Sequence, residues 1–517
     1  MMPAVPHAHG RSLRDLLAGF AAIAEPDDRE IRGLSLDSRA LHPGDLFLAC
    51  AGRRTHGLAH LPQALEAGAA AVAYEVRDAR EARALCERYA RAGAGRVPLI
   101  PVTGLSRHAG PIAARFYDRP SRELDVIGIT GTNGKTSCSH FLAQALDGAG
   151  RPCGVIGTLG AGLGADLAPL AHTTPDAVSV QRLLAGLRAA GARAVAMEVS
   201  SHGLHQGRVE GVEFHTAVFT NLTRDHLDYH GDMRAYGQAK ELLFRTPGLR
   251  RAVVNLADPF GRRLAGVLSP QVEVLGFRLD EAADADTGVS GPACVVGTGL
   301  RTGPAGCAFD VATPWGAGRI ETPLLGRFNV ENLLAALAVL LSLDLPLERA
   351  VARLAAVRPV PGRMEAFGGG DAPLVVVDYA HTPDALEQAL RALRAHCTGE
   401  LWCVFGCGGE RDPGKRPLMG AVAERLADRV VLTDDNPRGE SATDIVIHIQ
   451  QGMRDPDRAY VRRDRADAIA LAVGFAAPGD VVLVAGKGHE EVQVAAGRAL
   501  PFSDRDQVAR RLAERRS

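Results

Sequence analysis

Leu124-Asp-Val-Ile-Gly-Ile-Thr-Gly-Thr-Asn-Gly-Lys-Thr-Ser137 is the stretch on which the fold turns. A short β-branched run stops at glycine, and the residues after Lys135 open a helical pattern. Glycines at such a turn let backbone N–H groups face phosphate oxygens, and the helix N-terminus adds partial positive charge. In a loop of this kind Lys135 reaches the β- and γ-phosphates and the Thr136 hydroxyl binds Mg²⁺. The strict G-x-x-x-x-G-K-[ST] pattern asks for glycine where Ile129 stands, so the loop is a variant. No lysine follows an asparagine, which removes the Asn-Lys-x-Asp signature of a GTPase and leaves ATP as the expected nucleotide.

Outward from this loop, CGVIGTL, RAVAMEVS, TAVFTNL and RAVVNLAD alternate with helical patterns such as VQRLLAGLRAAG. That alternation predicts a mostly parallel, doubly wound α/β sheet with helices on both faces. Residues 290–322 break the rhythm and read as added antiparallel strands, followed by a helix over ENLLAALAVLLSL. Before the loop, DLFLAC, AAVAYEV and VPLIPV around a helical LPQALEAGAA describe a small α/β unit. After the Pro- and Gly-containing VRPVPGR, a third α/β unit with Rossmann-like alternation runs through PLVVVDYA, LWCVFGCGG, RVVLTDD and DVVLVAGKG. The expected domains are therefore 1–105, 106–358 and 359–517, consistent with a 517-residue chain too long for one core.

Charge and composition narrow the function. The formal net charge is −1, which gives no electrostatic case for nucleic acid or an anionic membrane. Nine cysteines without paired metal spacing fit free thiols in a reducing cytosol, and neither a signal pattern nor a spanning apolar run is present, so a cytoplasmic protein is expected. Among 59 basic residues only Lys135, Lys240, Lys415 and Lys487 are lysines, each inside a motif-like segment. Lysine persists where a compact charge or a nucleophilic amine is required, roles arginine cannot fill. Glu198 ends a strand-like run and His226 follows another between Asp225 and Asp228. An acid at a strand's carboxyl end can hold Mg²⁺ beside a phosphate loop.

The segments TGTNGKT, MEVSSH, NLTRDHLDYHG, YGQAKELLF, GRFNVENLLAA, VPGRMEAF, DYAHTPDALE, GCGGERDPGKRPLMG, TDDNPR and VAGKGHE, in this order, resemble the Mur ligases of peptidoglycan synthesis. The resemblance covers the chain from about residue 37 to about residue 505. It implies three domains, for a UDP-sugar, ATP and an incoming amino acid, and amide formation through an acyl phosphate with two Mg²⁺ ions. It assigns Gly131, Thr132, Asn133, Gly134, Lys135, Thr136 and Ser137 to ATP, with Asn329 and Arg363 near the nucleotide and Asp378 on its ribose. Glu198 and His226 match metal ligands, and Lys240 matches a lysine carbamylated to help hold the second ion. Leu36 and Ser38 match uridine contacts, and Thr173, Thr174, Ser200, Gln206 and Arg208 match contacts to the muramyl peptide. Arg53 and Arg54 are candidates for its pyrophosphate.

The DNPR run of Asp435, Asn436, Pro437 and Arg438 accompanies diaminopimelate use in this family, with Arg411, Gly486 and Glu490 as further contacts. The implied substrates are thus UDP-N-acetylmuramoyl-L-alanyl-D-glutamate, meso-diaminopimelate and ATP, acting on a monomer without nucleic acid or membrane insertion. A ligase of the same fold that adds lysine, a folylpolyglutamate synthetase, and a P-loop regulatory ATPase are the alternatives. The DNPR, HTTPD and GKGHE segments disfavour the folate reading. Phosphate release that requires both a UDP-muramyl dipeptide and an amino acid separates a ligase from a switch.

Overall fold

The computed structural model describes residues 10–52, 55–77, 80–81, 84–85, 97–280, 292–303 and 305–515. They form two compact units, 1–275 and 276–517.

The first unit holds a two-stranded pair, Arg11–Ser12 with Glu30–Ile31, a four-stranded sheet and the core of a larger one. Gly33–Ser35, Asp45–Ala49, Ala71–Val76 and Leu99–Thr103 pair in parallel in that order. The helical LPQALEAGAA pattern forms helix only over Leu61–Glu66, because Gly68 turns the chain at φ +82° toward the next strand. Beyond it lies the core of the expected doubly wound sheet. Asp125–Thr130 sits between Ala194–Glu198 and Thr216–Phe219, with Cys153–Gly157 and Arg251–Asn255 outside them, all parallel. Their inward runs are continuously apolar because helices cover both faces. Gly160–Leu163 and Asp166–Ala168 add an antiparallel hairpin at one edge. The register pairs Glu198 with Ile129 and Phe219 with Thr130, so the carboxyl ends of three strands converge on the Gly131 loop. That end of an open α/β sheet is where ligands bind.

In the second unit the Gly- and Thr-rich segment folds as the expected antiparallel meander, Ala293–Gly303, Gly306–Thr313 and Gly316–Thr322. The helix that follows begins at Arg327, four residues ahead of the apolar run, and is buried along most of its length to Ser342. A six-stranded sheet then orders Glu365–Gly368, Leu374–Asp378, Val481–Ala485, Leu401–Phe405, Arg429–Leu432 and Tyr460–Val461, antiparallel only at its first pair. Leu386, Leu390 and Met419 pack on one face, and Ile469, Val473 and Val508 on the other. Thr382, Ser441, Asp464 and Ser503 each cap a following helix through the side-chain oxygen. No helix among the described residues is long and apolar enough to cross a membrane. The eight described cysteines are all free.

Candidate active site

The loop after Asp125–Thr130 runs directly into the helix Lys135–Gly148, with Gly134 as its N-cap at φ +86°. At Gly131 a Cβ would stand 1.9 Å from Thr220 Oγ1, so only glycine lets the loop lie this close to the neighbouring strand. The loop is tied to the strand end that carries Thr220. Thr132 N–H donates to the Asn221 carbonyl (2.9 Å), Asn133 N–H to Asn221 Oδ1 (2.9 Å), and Thr220 Oγ1 to the Asn133 carbonyl (2.6 Å). Lys135 Nζ folds back to donate to the Gly131 and Thr132 carbonyls at 2.8 Å each.

Glu198 is 1 % exposed and its carboxylate collects hydroxyl and amide donors. Thr136 Oγ1 donates to Oε2 (3.1 Å), Thr158 Oγ1 to Oε2 (3.0 Å) and Thr158 N–H to Oε1 (2.8 Å). Thr158 also meets Thr173 Oγ1 at 3.1 Å, and Thr174 Oγ1 donates to the Glu198 carbonyl and to Ser200 Oγ. Arg208 donates to the Thr174 carbonyl (2.7 Å) and, with Nε and Nη2, to Gln206 Oε1. Thr173, Thr174, Ser200, Gln206 and Arg208 therefore form one polar cluster continuous with Glu198 and Thr136. Thr158, which joins these groups, carried no signal in the sequence beyond following a strand. Asp176, at the end of HTTPD, is the cap of the helix Ala177–Ala189.

Lys240 is 1 % exposed, on the helix Met233–Glu241. Its Nζ donates to the Gly131 carbonyl (2.7 Å) and lies 4.3 Å from the centre of the Tyr236 ring. Two lysines thus converge on one carbonyl. Burial, reinforced by the Lys135 charge, holds the Lys240 amine well below its ordinary pKa. No carboxylate pairs with it among the described residues. His226 adopts φ +52° and is about half exposed, with Nε2 3.4 Å from Asp225 Oδ2. Partial burial lowers its pKa against the pull of Asp225, helped by the charges of Lys135 and Lys240. In the four-stranded region Ser38 is buried and donates to Gln63 Oε1 (2.8 Å), while Leu36 is half-buried. Arg53 and Arg54 lie outside the described residues.

In the second unit Asp378 ends its strand and accepts from Met364 N–H (2.8 Å) and Ala380 N–H (2.9 Å). Burial raises its carboxyl pKa, opposed by the Arg363 charge. The Arg363 guanidinium stacks 4.3 Å from the Tyr379 ring centre. Asn329 is buried and donates to the Leu325 carbonyl (2.9 Å), a contact that shapes its own helix start.

The DNPR and GKGHE segments meet. Asn436 Nδ2 donates to Glu490 Oε2 (2.8 Å), and Asn436 Oδ1 accepts from Lys487 Nζ (3.0 Å) and Val494 N–H (2.9 Å). Lys487, whose side chain is fully buried, also pairs with Glu490 at 3.0 Å. Burial works against the Glu490 charge, yet Lys487 and Asn436 hold its pKa below the ordinary value. Asp435 is buried, and a Cβ at Gly486 would approach its Oδ2 to 2.6 Å. Arg438 takes φ +53° and donates through Nη1 to the Gly409 carbonyl (2.7 Å). Its Nε and Nη2 make no hydrogen bond among the described residues, and neither does the exposed Arg411. The sequence singled out Lys487 without a role and missed the buried Arg416, which pairs with Glu440.

Models of known families match three successive segments of the chain. They are "Mur ligase family, catalytic domain" at residues 30–117, "Mur ligase middle domain" at 129–340 and "Mur ligase, glutamate ligase domain" at 362–488. A UDP-N-acetylmuramoyl-L-alanyl-D-glutamate–2,6-diaminopimelate ligase of Alkalilimnicola ehrlichii is 54% identical over 507 residues, 97% of this chain and 99% of the relative. One of the same name from Pseudomonas aeruginosa is 52% identical over 486 residues, 94% of this chain and 96% of the relative. A solved structure of a ligase of that name is 34% identical with a TM-score of 0.70, covering 98% of this chain and all of the other. A MurF ligase from Thermotoga maritima in complex with ADP is 17% identical with a TM-score of 0.61, covering 95% and 100%, and shows the shared fold. With matches of this identity and extent along an unbroken series of motifs, the chain belongs to the Mur ligase family.

Proposed function

We propose that this chain is an ATP-dependent amide ligase that joins meso-diaminopimelate to the D-glutamate of UDP-N-acetylmuramoyl-L-alanyl-D-glutamate, a step of peptidoglycan precursor synthesis. The observation that carries the amino-acid assignment is the Nε/Nη2 edge of Arg438, which makes no hydrogen bond among the described residues. It is joined through Asn436 to the acid Glu490. A guanidinium edge binds a carboxylate through two parallel charge-assisted bonds, and an adjacent carboxylate binds an ammonium. Diaminopimelate carries both groups at its distal end, whereas lysine lacks the carboxylate. The names of the 54% and 52% identical relatives support the same substrates.

Three domains, 1–105, 106–358 and 359–517, would take the UDP-sugar, ATP and the amino acid. Gly131 to Ser137 would hold the ATP phosphates, with Lys135 exchanging its two loop carbonyls for phosphate oxygens. Asp378 would hold the ribose, with Asn329 and Arg363 near the nucleotide. Leu36 and Ser38 would contact uridine, and the cluster of Thr173, Thr174, Ser200, Gln206 and Arg208 the muramyl peptide. Asp435, Pro437, Arg411 and Gly486 complete the amino-acid site.

The substrate carboxylate attacks the γ-phosphorus and ADP leaves, giving an acyl phosphate. The deprotonated amine of diaminopimelate adds to the acyl carbon, and the tetrahedral adduct expels phosphate. Lys135 and the N–H groups at the start of its helix would stabilise charge spread over the transferring phosphoryl oxygens.

Among the described residues no three His, Cys, Asp or Glu side chains are grouped as a metal site. The Thr136 hydroxyl and buried Glu198 carboxylate are nevertheless the oxygen donors a hard cation takes, so they fit Mg²⁺. His226 and Lys240 fit a second ion once the Lys240 amine has become a carbamate, because a protonated amine repels a cation. Bound Mg²⁺ would supply electrostatic stabilisation of phosphoryl charge. The protein is expected to act as a cytoplasmic monomer.

The test is phosphate release from ATP with the UDP-muramyl dipeptide and diaminopimelate, each omitted in turn, with the product's mass determined. Release that needs both, with a product heavier by one diaminopimelate residue, supports the reading. Release without either substrate overturns it, and equal turnover with L-lysine overturns the amino-acid assignment alone.

A further inference from the structure

Two loops build the wall around Arg438 and Arg411, residues 406–414 and 433–440. Gly409 N–H donates to the Asn436 carbonyl (2.9 Å), Arg438 Nη1 to the Gly409 carbonyl (2.7 Å), and Glu410 N–H to Glu440 Oε2 (3.0 Å). The loops lie so close that a Cβ at Gly409 would come within 2.0 Å of the Pro437 carbonyl oxygen. Beneath them Arg416, near the start of the helix Lys415–Leu426, is fully buried. Its Nη1 and Nη2 donate to Glu440 Oε1 and Oε2 at 2.6 and 2.7 Å, and Nη2 also reaches the Gly408 carbonyl at 3.3 Å. His448 Nδ1 lies 3.0 Å from Nη1, and Nε is buried with no partner among the described residues.

We propose that Arg416 and Glu440 are positioning residues, a brace that locks the two loops together and so sets the preference for an amino acid with a distal carboxylate. The inference rests on the ligase reading above. Arg416 spans both loops at once, gripping Glu440 of one and the Gly408 carbonyl of the other. Glu440 in turn holds Glu410 N–H, next to Arg411. The points that the brace fixes, Gly408, Glu410 and Glu440, are therefore one to three residues from a guanidinium assigned to the substrate. A bidentate fork fixes direction as well as distance, which a lysine ammonium at the same place would not. The Arg416 hydrogen bonds also hold the Glu440 carboxyl down to about 2, so the pair stays ionised across the working pH range.

The experiment compares the unmutated chain with Arg416→Lys, Glu440→Gln and the swap Arg416→Glu/Glu440→Arg. It records kcat, KM for each of the three substrates, the diaminopimelate-to-lysine ratio and the thermal midpoint. Loosening by a fraction of an ångström should raise KM for diaminopimelate and lower the ratio by roughly tenfold or more. KM for ATP and for the UDP-muramyl dipeptide should stay within about twofold, because the brace touches neither site. The swap should recover part of the ratio. Unchanged diaminopimelate KM and ratio in both single variants would overturn the proposal, as would all three KM values moving together. A swap no better than the single variants would also overturn it, since packing and not the ion pair would then be responsible. If the unmutated chain shows no diaminopimelate-dependent phosphate release, the ligase reading itself fails.

Discussion

Replacing Lys240 separates what this side chain does for the fold from what it does for the reaction. The residue is 1 % exposed and its amine donates to the Gly131 carbonyl, which Lys135 also satisfies at 2.8 Å. Loss of the amine therefore leaves no orphaned acceptor on the phosphate loop. Truncation to alanine removes three buried methylenes, about 0.8 kcal/mol each, so roughly 2–3 kcal/mol of stability. Lys240→Met keeps nearly the same volume and should cost less than about 1.5 kcal/mol. Both variants should nevertheless lose ligation by about a hundredfold or more, because the carbamate oxygens that would share in charge stabilisation are gone. In forming the carbamate, the neutral amine adds to the carbon of CO₂ and releases one proton. A buried amine held well below its ordinary pKa is ready for that addition. The assay pairs phosphate release with ¹³C NMR of protein incubated with labelled bicarbonate, and adds short carboxylates to Lys240→Ala to seek partial recovery. Full activity in Lys240→Arg or Lys240→Met, or no carbamate signal in active enzyme, would refute the reasoning.

Arg438→Ala should cut the preference for diaminopimelate over lysine by about 2–3 kcal/mol, or roughly 30- to 150-fold, read from competition between the two amino acids. A preference left intact would place the distal carboxylate elsewhere. Asp378→Asn loses the charge and keeps only one of the two acceptor oxygens that serve Met364 and Ala380 N–H, so it should raise KM for ATP by about tenfold and also lower the thermal midpoint. An unchanged ATP KM would remove the ribose assignment. His489 is pushed down to about 4 by burial, aided by Arg363, so the unfolded chain binds the extra proton first as pH falls. Between about pH 6.5 and 4 the folded state should therefore lose up to roughly 3 kcal/mol as pH falls. His489→Gln should lose correspondingly less on urea unfolding at pH 4.5 against 7.5, and equal losses would show the imidazole to be accessible.

Much of this protein was legible in its sequence wherever the controlling interaction is local. The Gly131–Ser137 loop reads directly because backbone turn, helix start and lysine lie within one short segment. The strands around it read because burial on both faces makes them continuously apolar, and the antiparallel meander read from its glycines and threonines. Of the four lysines that the sequence set apart, Lys240 and Lys487 are wholly buried.

Tertiary structure decided what those groups touch. Thr158 reaches Glu198 across 40 residues, Lys487 holds Asn436 across 51, and Arg416 grips Glu440 across 24. None of these separations follows a helical or strand period, so no pattern along the chain encodes them. The helix over Leu61–Glu66 fell short of its apolar pattern for a related reason, since Gly68 must turn the chain toward the next strand. Chemical capacity thus belongs to residue types and short spacings that the sequence displays by itself. Partner choice, burial and the pKa shifts that follow arise only when parallel strands bring distant loops to one edge, where desolvation makes each pairing strong enough to matter.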